Sequence, residues 1–372
     1  MPARRLTVVQ VVPALEAGGV ERSTLEIAHA LVLAGHRSIV VSAGGRLVTR
    51  LQDEGSEHID VDIGRKSLAT LPHVWTLRRL LRQLQPDIVH ARSRLPAWIA
   101  HLALGGLPAP RPHFVTTVHG LNSPGRYSSI LTRGERVICV SNSVRDHVLR
   151  HYPNVDPARL TVIPRGVDPE DFPFGYQPED AWREAFFREF PALHGGLLLT
   201  LPGRGTRLKG HADAIELVAG LRARGLDARL LLLGARQPGR EAYIAELEQA
   251  ARDRGVSEQT VISVPRSDIR EIYAVSALVL QLSRQPESFG RTVLEALALC
   301  RPVAGYAHGG VGELLAELYP EGRVPPGDIT RLIERAAELL RVAPAIAPLT
   351  RYRLVDMQAA TLDLYAEVVS ST

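Results

Sequence analysis

The chain has 372 residues, 45% hydrophobic and 23% charged, with a formal net charge of +4. That composition excludes a disordered, collagenous or disulfide-stapled protein, and no stretch approaches the roughly 18 apolar residues of a membrane span. Cys139 and Cys300 are the only cysteines, far apart and without metal or redox spacing, so both read as reduced, packed thiols and the chain as cytoplasmic.

Length predicts two domains. Residues 1–170 hold 21 Arg/Lys against 14 Asp/Glu, and residues 171–372 hold 23 against 26. A basic first half suits an anionic partner, and scattered solvated arginine is the equal alternative. Lysine occurs only at Lys66 and Lys209.

In chain order, two arginines precede an apolar run in MPARRLTVVQVV, as in a signal peptide. Gln10 and Pro13 interrupt that run and a helical pattern follows, so LTVVQVV is read as a first buried strand. The loop ALEAGGVERS places Gly18 and Gly19 at a helix N-terminus, either as a tight turn or as a place where an anion approaches backbone N–H groups. A dinucleotide fingerprint is excluded: the G-x-G-x-x-G spacing is missing, and RSIVVS ends without an acidic residue for a ribose. RSIVVS, HIDVDI, DIVHAR, HFVTTVH, RVICVS and RLTVIP continue as strands between helices such as HVWTLRRLLRQL. The alternation predicts a parallel sheet covered on both faces, with the chemistry in the loops after its strands. In HVWTLRRLLRQL, Trp75 and several leucines accompany Arg78, Arg79 and Arg82; a sheet-covering helix is the ordinary reading, and contact with an anionic membrane surface the alternative.

PRGVDPEDFPFGYQPED is a proline-rich linker. Alternation restarts with LLLTLPG and runs through ARLLLLG, VISV, ALVLQLS and PVAGYA, which predicts a second sheet domain. RYRLVDMQAATLDLYAEVV reads as a final helix returning to the first domain. The expected division is therefore 1–168, 169–350 and a C-terminal helix within 351–372.

Two stretches carry chemistry. LPGRGTRLKGH sets Arg204, Arg207 and Lys209 among three glycines between a strand and a helix. Backbone amides, a helix start and two or three cations there suit a diphosphate without metal, although G-x-x-x-x-G-K-[ST] is not satisfied. QPESFGRTVLEA puts Glu287 just before a helix and Glu295 about two turns into it, so the pair can flank a ligand lying over the helix start. A lone first-turn acid commonly answers the helix dipole, which accounts for Glu287 but not for Glu295 on an apolar run.

These residues resemble the retaining glycosyltransferases of family 4, which have the α/β GT-B fold of two Rossmann-like parallel-sheet domains facing across a cleft. The likeness covers nearly the whole chain. It is carried by E-x7-E at Glu287 and Glu295, by Gly203, Arg204, Lys209 and Gly210, and by AGGVERS, TTVHG, VIPRGVD and AHGGVGELL. The resemblance implies that Glu295 binds the nucleotide ribose and Glu287 the transferred sugar, while the backbone near Ser288, Phe289 and Gly290 binds diphosphate. Arg204 and Lys209 supply its countercharge, and His119 touches the sugar and the phosphate near the reacting carbon. Gly18, Gly19 and Arg266 complete the expected nucleotide set, and catalysis is expected to need no metal or other cofactor.

Two departures stand out: Arg165, where the family more often has Asn, receives no role, and Gly205, where a larger apolar residue is usual, is expected to loosen the phosphate loop. GRKSL, HARSRLPAW and VHGLNSPGRYSS extend the likeness to bacterial lipopolysaccharide-core transferases. The expected reaction moves a hexose, glucose from UDP-glucose, to a phosphorylated core acceptor held by Arg92, Arg94 and Arg126 at the inner face of the inner membrane, with no nucleic acid involved. The rivals are a nucleotide-sugar 2-epimerase of the same architecture, which E-x7-E argues against, and a catalytically silent binding subunit.

Overall fold

The computed structural model describes residues 4–16, 18–65, 70, 72–342 and 344–371, so Lys66 and the rest of the KSL step lie outside the described residues. The chain forms two compact units, Met1–Gly166 with Leu354–Thr372, and Val167–Arg353.

The first unit contains β1 (Thr7–Val11), α1 (Gly19–Leu33), β2 (Arg37–Ser42), α2 (Val48–Asp53), β3 (Glu57–Asp60), α3 (His73–Leu84), β4 (Ile88–Ala91), α4 (Arg94–Gly105), β5 (His113–Val118), β6 (Arg136–Cys139), α5 (Asn142–His151) and β7 (Leu160–Val162). Its seven strands run β3-β2-β1-β4-β5-β6-β7, and every pair is parallel. Val8, Val9, Ile39, Val40, Ile88 and Val89 are fully buried, because helices cover both faces. The last helix of the chain, α13 (Leu354–Ser370), belongs to this unit: Met357, Leu364, Tyr365 and Val368 pack with Leu6, Val8, Ile27, Ile88 and Ile163.

Helix α3 lies against α4 through Arg78, whose guanidinium donates to the carbonyls of Ala103 at 3.2 Å and Leu102 at 2.9 Å. Val74, Leu77 and Leu81 are buried beneath it and Trp75 faces outward. Among the described residues no helix is long and apolar enough to cross a membrane.

The second unit contains α6 (Asp180–Glu189), β8 (Leu197–Pro202), α7 (His211–Arg222), β9 (Ala228–Leu233), α8 (Glu241–Asp253), β10 (Thr260–Ile262), α9 (Ile269–Val275), β11 (Leu278–Gln281), α10 (Arg291–Ala298), β12 (Val303–Tyr306), α11 (Gly309–Leu318), β13 (Arg323–Val324) and α12 (Ile329–Arg341). Its order, β10-β9-β8-β11-β12-β13, is again parallel throughout. Both sheets therefore have the doubly wound plan, in which the connection reverses at the first strand and the loops beside it are placed for ligands. In the second unit those loops follow β8 and β11, and they contain the two stretches singled out above.

Candidate active site

In the second unit, Glu287 is the centre of a polar cluster. Its Oε1 takes the Lys209 ammonium at 2.5 Å and the Ser283 hydroxyl, and its Oε2 takes Gln281 Nε2 at 3.2 Å. The LKG loop after β8 and the ESFG loop after β11 are therefore tied at the side chains expected to carry charge and sugar contacts. They are tied through the backbone as well, since Arg284 N–H donates to the Leu208 carbonyl at 2.8 Å.

A third loop holds this pair from the β12 side. Gly310 N–H donates to the Glu287 carbonyl at 2.8 Å, and the His308 ring contacts the Ser283 carbonyl at 2.7 Å. Gly309 has φ +56°, and a Cβ there would meet the Glu287 carbonyl oxygen at 2.5 Å, so only glycine lets AHGG approach this closely. Gln281, Ser283 and His308 were not singled out from sequence. Their only signal is position, at the ends of predicted strands.

Gly290 caps α10 without a side-chain hydrogen bond to the first turn, and Val293 N–H donates to the Gly290 carbonyl at 3.0 Å. Phe289 is buried, with its ring 6.2 Å from that of Tyr352, while Ser288 is half-buried. Glu295, in the body of α10, is 7% exposed. Its carboxylate bears on the buried Tyr273 hydroxyl of α9 and, after burial, raises that group's pKa.

The phosphate loop departs from expectation at one position. Gly205 is buried, and a Cβ there would meet the Ala235 carbonyl oxygen at 2.2 Å. The glycine permits close packing of the loop rather than loosening it. Arg204 is exposed and makes no side-chain hydrogen bond or ion pair with another described residue, so its charge is available to a ligand. Arg207, by contrast, pairs with Glu246 at 2.5 Å and lies over the Tyr243 ring.

Arg266 is engaged within the protein. Its guanidinium donates to both oxygens of Asp268 and both of Glu189, each at 2.8 Å, and sits over Phe186 and Phe190. Hydrogen bonding to Asp268 raises its pKa further, and the same contact lowers that of Asp268.

In the first unit, Gly18 and Gly19 open α1, with Gly18 at φ +147°. The Glu21 carboxylate lies against Gly18, which places an acid of the chain's own at this helix start. The expected acceptor arginines separate. Arg126 is exposed, and Arg94, at the start of α4, donates to Ser128 Oγ at 3.3 Å and lies over the Tyr127 ring. Arg92 is instead an interior group, 2% exposed, donating to Gln10 Oε1 at 2.5 Å and to Ser23 Oγ at 3.1 Å.

His119 follows β5 and is half-buried, and its Nδ1 contacts the guanidinium of Arg165, the residue given no role from sequence. Burial, and after it the charges of Arg165 and Arg92 and the ring of His90, hold His119 well below the usual histidine value. His90 is buried on β4, bridging Tyr365 Oη at 2.6 Å and Thr117 Oγ1 at 2.7 Å, and burial first of all lowers its pKa too.

Two family descriptions match the chain in succession: Glycosyltransferase Family 4 over residues 17–171 and Glycosyl transferases group 1 over residues 183–346. Both matches are to glycosyltransferases, and together they support a glycosyltransferase of the family-4 type. A solved glycosyltransferase from Rickettsia africae is similar over 99% of this chain and 100% of its own, at 27% identity and a TM-score of 0.84. The Anabaena protein HepE, solved in complex with UDP and glucose, shares the fold over 98% of this chain and 100% of its own, at 18% identity and a TM-score of 0.78. Alpha-maltose-1-phosphate synthase of Mycolicibacterium smegmatis is 31% identical over 187 residues, which are 49% of this chain and 46% of that protein. The chain spans about half to two thirds of the length of the curated relatives it matches first. Two units, each a wholly parallel sheet, are the GT-B architecture.

Proposed function

We infer that this glycosyltransferase moves a hexose, glucose from UDP-glucose, onto a phosphorylated lipopolysaccharide-core intermediate, with retention at the anomeric carbon and without a metal. The observation that carries the donor half is the Lys209–Glu287 contact at the start of α10, where a mobile cation and a sugar-binding carboxylate are held side by side. Glu295 takes the ribose hydroxyls, Glu287 the hexose hydroxyls, and the amides near Ser288, Phe289 and Gly290 the diphosphate. Gly18 and Gly19 add backbone to the donor set, whereas Arg266 acts through the fold, since its guanidinium is committed to Asp268 and Glu189.

Charge grows on the diphosphate as the glycosidic bond to phosphate breaks, and Arg204 and Lys209 stabilise it there. One well-aimed donor of this kind is typically worth about 3 to 4 kcal/mol. The departing phosphate takes the acceptor's proton on the face where the bond forms, so no pair of carboxylates in a glycosidase arrangement is required. The acceptor half rests on the +7 charge of residues 1–170 and on Arg94 and Arg126 near the surface of the first unit. The likeness of HARSRLPAW and VHGLNSPGRYSS to core transferases narrows the acceptor to lipopolysaccharide and the site of action to the cytoplasmic face of the inner membrane.

The test is UDP release and product anomeric configuration, measured with UDP-glucose and a phosphorylated core acceptor in the presence of EDTA. Transfer with retention that EDTA leaves unchanged is expected. Loss of transfer in EDTA, restored by magnesium, refutes the metal-free mechanism. Interconversion of UDP-sugar epimers without transfer refutes the transferase reading.

A further inference from the structure

The ends of β4, β5 and β7 in the first unit carry two guanidiniums, Arg92 and Arg165, and two imidazoles, His90 and His119. Arg165 is 8% exposed, and one of its Nη atoms reaches Ser23 Oγ while the other meets Nδ1 of His119. A guanidinium remains protonated and offers only N–H donors, so the imidazole nitrogen in contact with it has to be the accepting one. The ring is then neutral and its proton lies on Nε2. That nitrogen is itself buried and makes no hydrogen bond with any described residue. A buried donor without a protein partner is uncommon and marks a place where another molecule's oxygen completes the bond.

We propose that Arg165 is a positioning residue that fixes His119 as the neutral Nε2–H tautomer, presenting one hydrogen-bond donor to an oxygen of a substrate of the transfer. This rests on the transferase reading above. Asparagine, the commoner family residue at this place, offers Nδ1 either a donor or an acceptor and leaves the tautomer open; arginine leaves no choice. The groups that bear on the ring are Arg165, Arg92, which Ser23 and Gln10 hold, and His90, with Tyr365 of α13 behind His90. Glu26 of α1 bears on Arg92. The two arginines and burial act in one direction, against protonation of His119. An imidazolium at that position would carry a second N–H facing the guanidinium, and the contact would be lost.

The experiment is nitrogen-15 spectroscopy of the histidine rings in the full-length parent, Arg165→Leu and Arg165→Gln, with UDP release from UDP-glucose measured on the same samples. The parent His119 is expected to show Nε2 protonated and Nδ1 bare from pH 5 to 8. In Arg165→Leu the ring titrates within that range, kcat falls by about 10- to 100-fold, as for other orienting partners of a histidine, and KM for UDP-glucose stays within about twofold. Arg165→Gln, whose amide donates to Nδ1 in one of its two orientations, recovers part of the loss. Because the Leu variant's ring is neutral above its new pKa, part of the loss returns as pH rises.

A parent ring protonated on Nδ1, or one titrating near the usual histidine value, overturns the proposal, and the parent spectra decide this even if Arg165→Leu does not fold. Equal losses in Leu and Gln variants overturn it as well. If the spectra are as expected but His119→Ala releases UDP at the parental rate, the tautomer lock stands. What fails in that case is the assignment of a substrate oxygen to His119.

Discussion

Replacing Glu287 by Gln separates the role of this side chain in holding the loops from its role in binding the sugar. The carboxylate accepts from Lys209 and Ser283 on one oxygen and from Gln281 on the other. Glutamine keeps the volume, but whichever way the amide turns, its NH2 faces a donor, Lys209 and Ser283 on one side or Gln281 on the other. A hydrogen bond to a charged group contributes about 1.5 to 3 kcal/mol. With the two side chains 28% and 25% exposed, solvent screening brings the loss to about 1 to 2 kcal/mol. For a unit of the size of Val167–Arg353, each kcal/mol lowers Tm by about 2 to 4 °C, so its calorimetric transition is expected to fall by roughly 2 to 8 °C. Binding should change selectively. Lys209, released from Glu287, still meets the diphosphate, and the Kd for UDP stays within about threefold. UDP-glucose loses a charged acceptor for its hydroxyls, about 1 to 3 kcal/mol or roughly 5- to 150-fold in Kd. Titration calorimetry with both ligands decides the matter, and a loss for UDP as large as for UDP-glucose refutes the assignment of Glu287 to the sugar.

Two further expectations follow from the site and its surroundings. Arg94→Ala with Arg126→Ala should raise KM for a phosphorylated acceptor and flatten its dependence on salt, leaving the Kd for UDP-glucose unchanged; an unaltered acceptor KM excludes both as its anchor. His211, fully buried at the start of α7, is pushed down from 6.5 to about 4 by burial. A base whose folded pKa is depressed leaves the unfolded chain binding more protons, so stability is fully present above pH 6.5 and falls by about 3 kcal/mol by pH 4. His211→Gln should flatten that decline in denaturant titrations, and an unchanged pH profile refutes the attribution.

Both sheets were legible because strands buried on two faces leave continuous apolar runs, and LLLTL and IVV stand out without any knowledge of their neighbours. The helix start in E-x7-E was legible for a similar local reason, but Glu295 lies about one turn into α10 rather than the expected two, because the helix begins only at Arg291. Arg92 was not. Sequence marks it as a charged residue at a strand end, and the groups that make its burial tolerable, Gln10 on β1 and Ser23 on α1, lie 82 and 69 positions away. Arg266 was hidden in the same way, since one of its two carboxylates, Glu189, is 77 positions distant on α6. Gly205 shows the opposite limit: glycine's freedom is visible in sequence, but whether that freedom loosens a loop or admits a neighbouring carbonyl depends on Ala235, just after the adjacent strand β9.

The scarcity of lysine gains a physical meaning from these pairings. Arg266 with Asp268, Arg284 with Asp213 and Arg37 with Glu57 each use two guanidinium nitrogens on one carboxylate. Such forks are directional, and opening one forfeits two bonds at once. Arginine therefore suits the contacts that hold this fold. Lys209 meets Glu287 as a compact charge on a flexible stem, with three donors that turn freely and no fork to break. A diphosphate arriving at the start of α10 can draw that ammonium away while Ser283 and Gln281 continue to hold Glu287. On the proposed function, the one described lysine stands where a cation would change partners as the diphosphate arrives, a move that the two-bond fork of an arginine would resist.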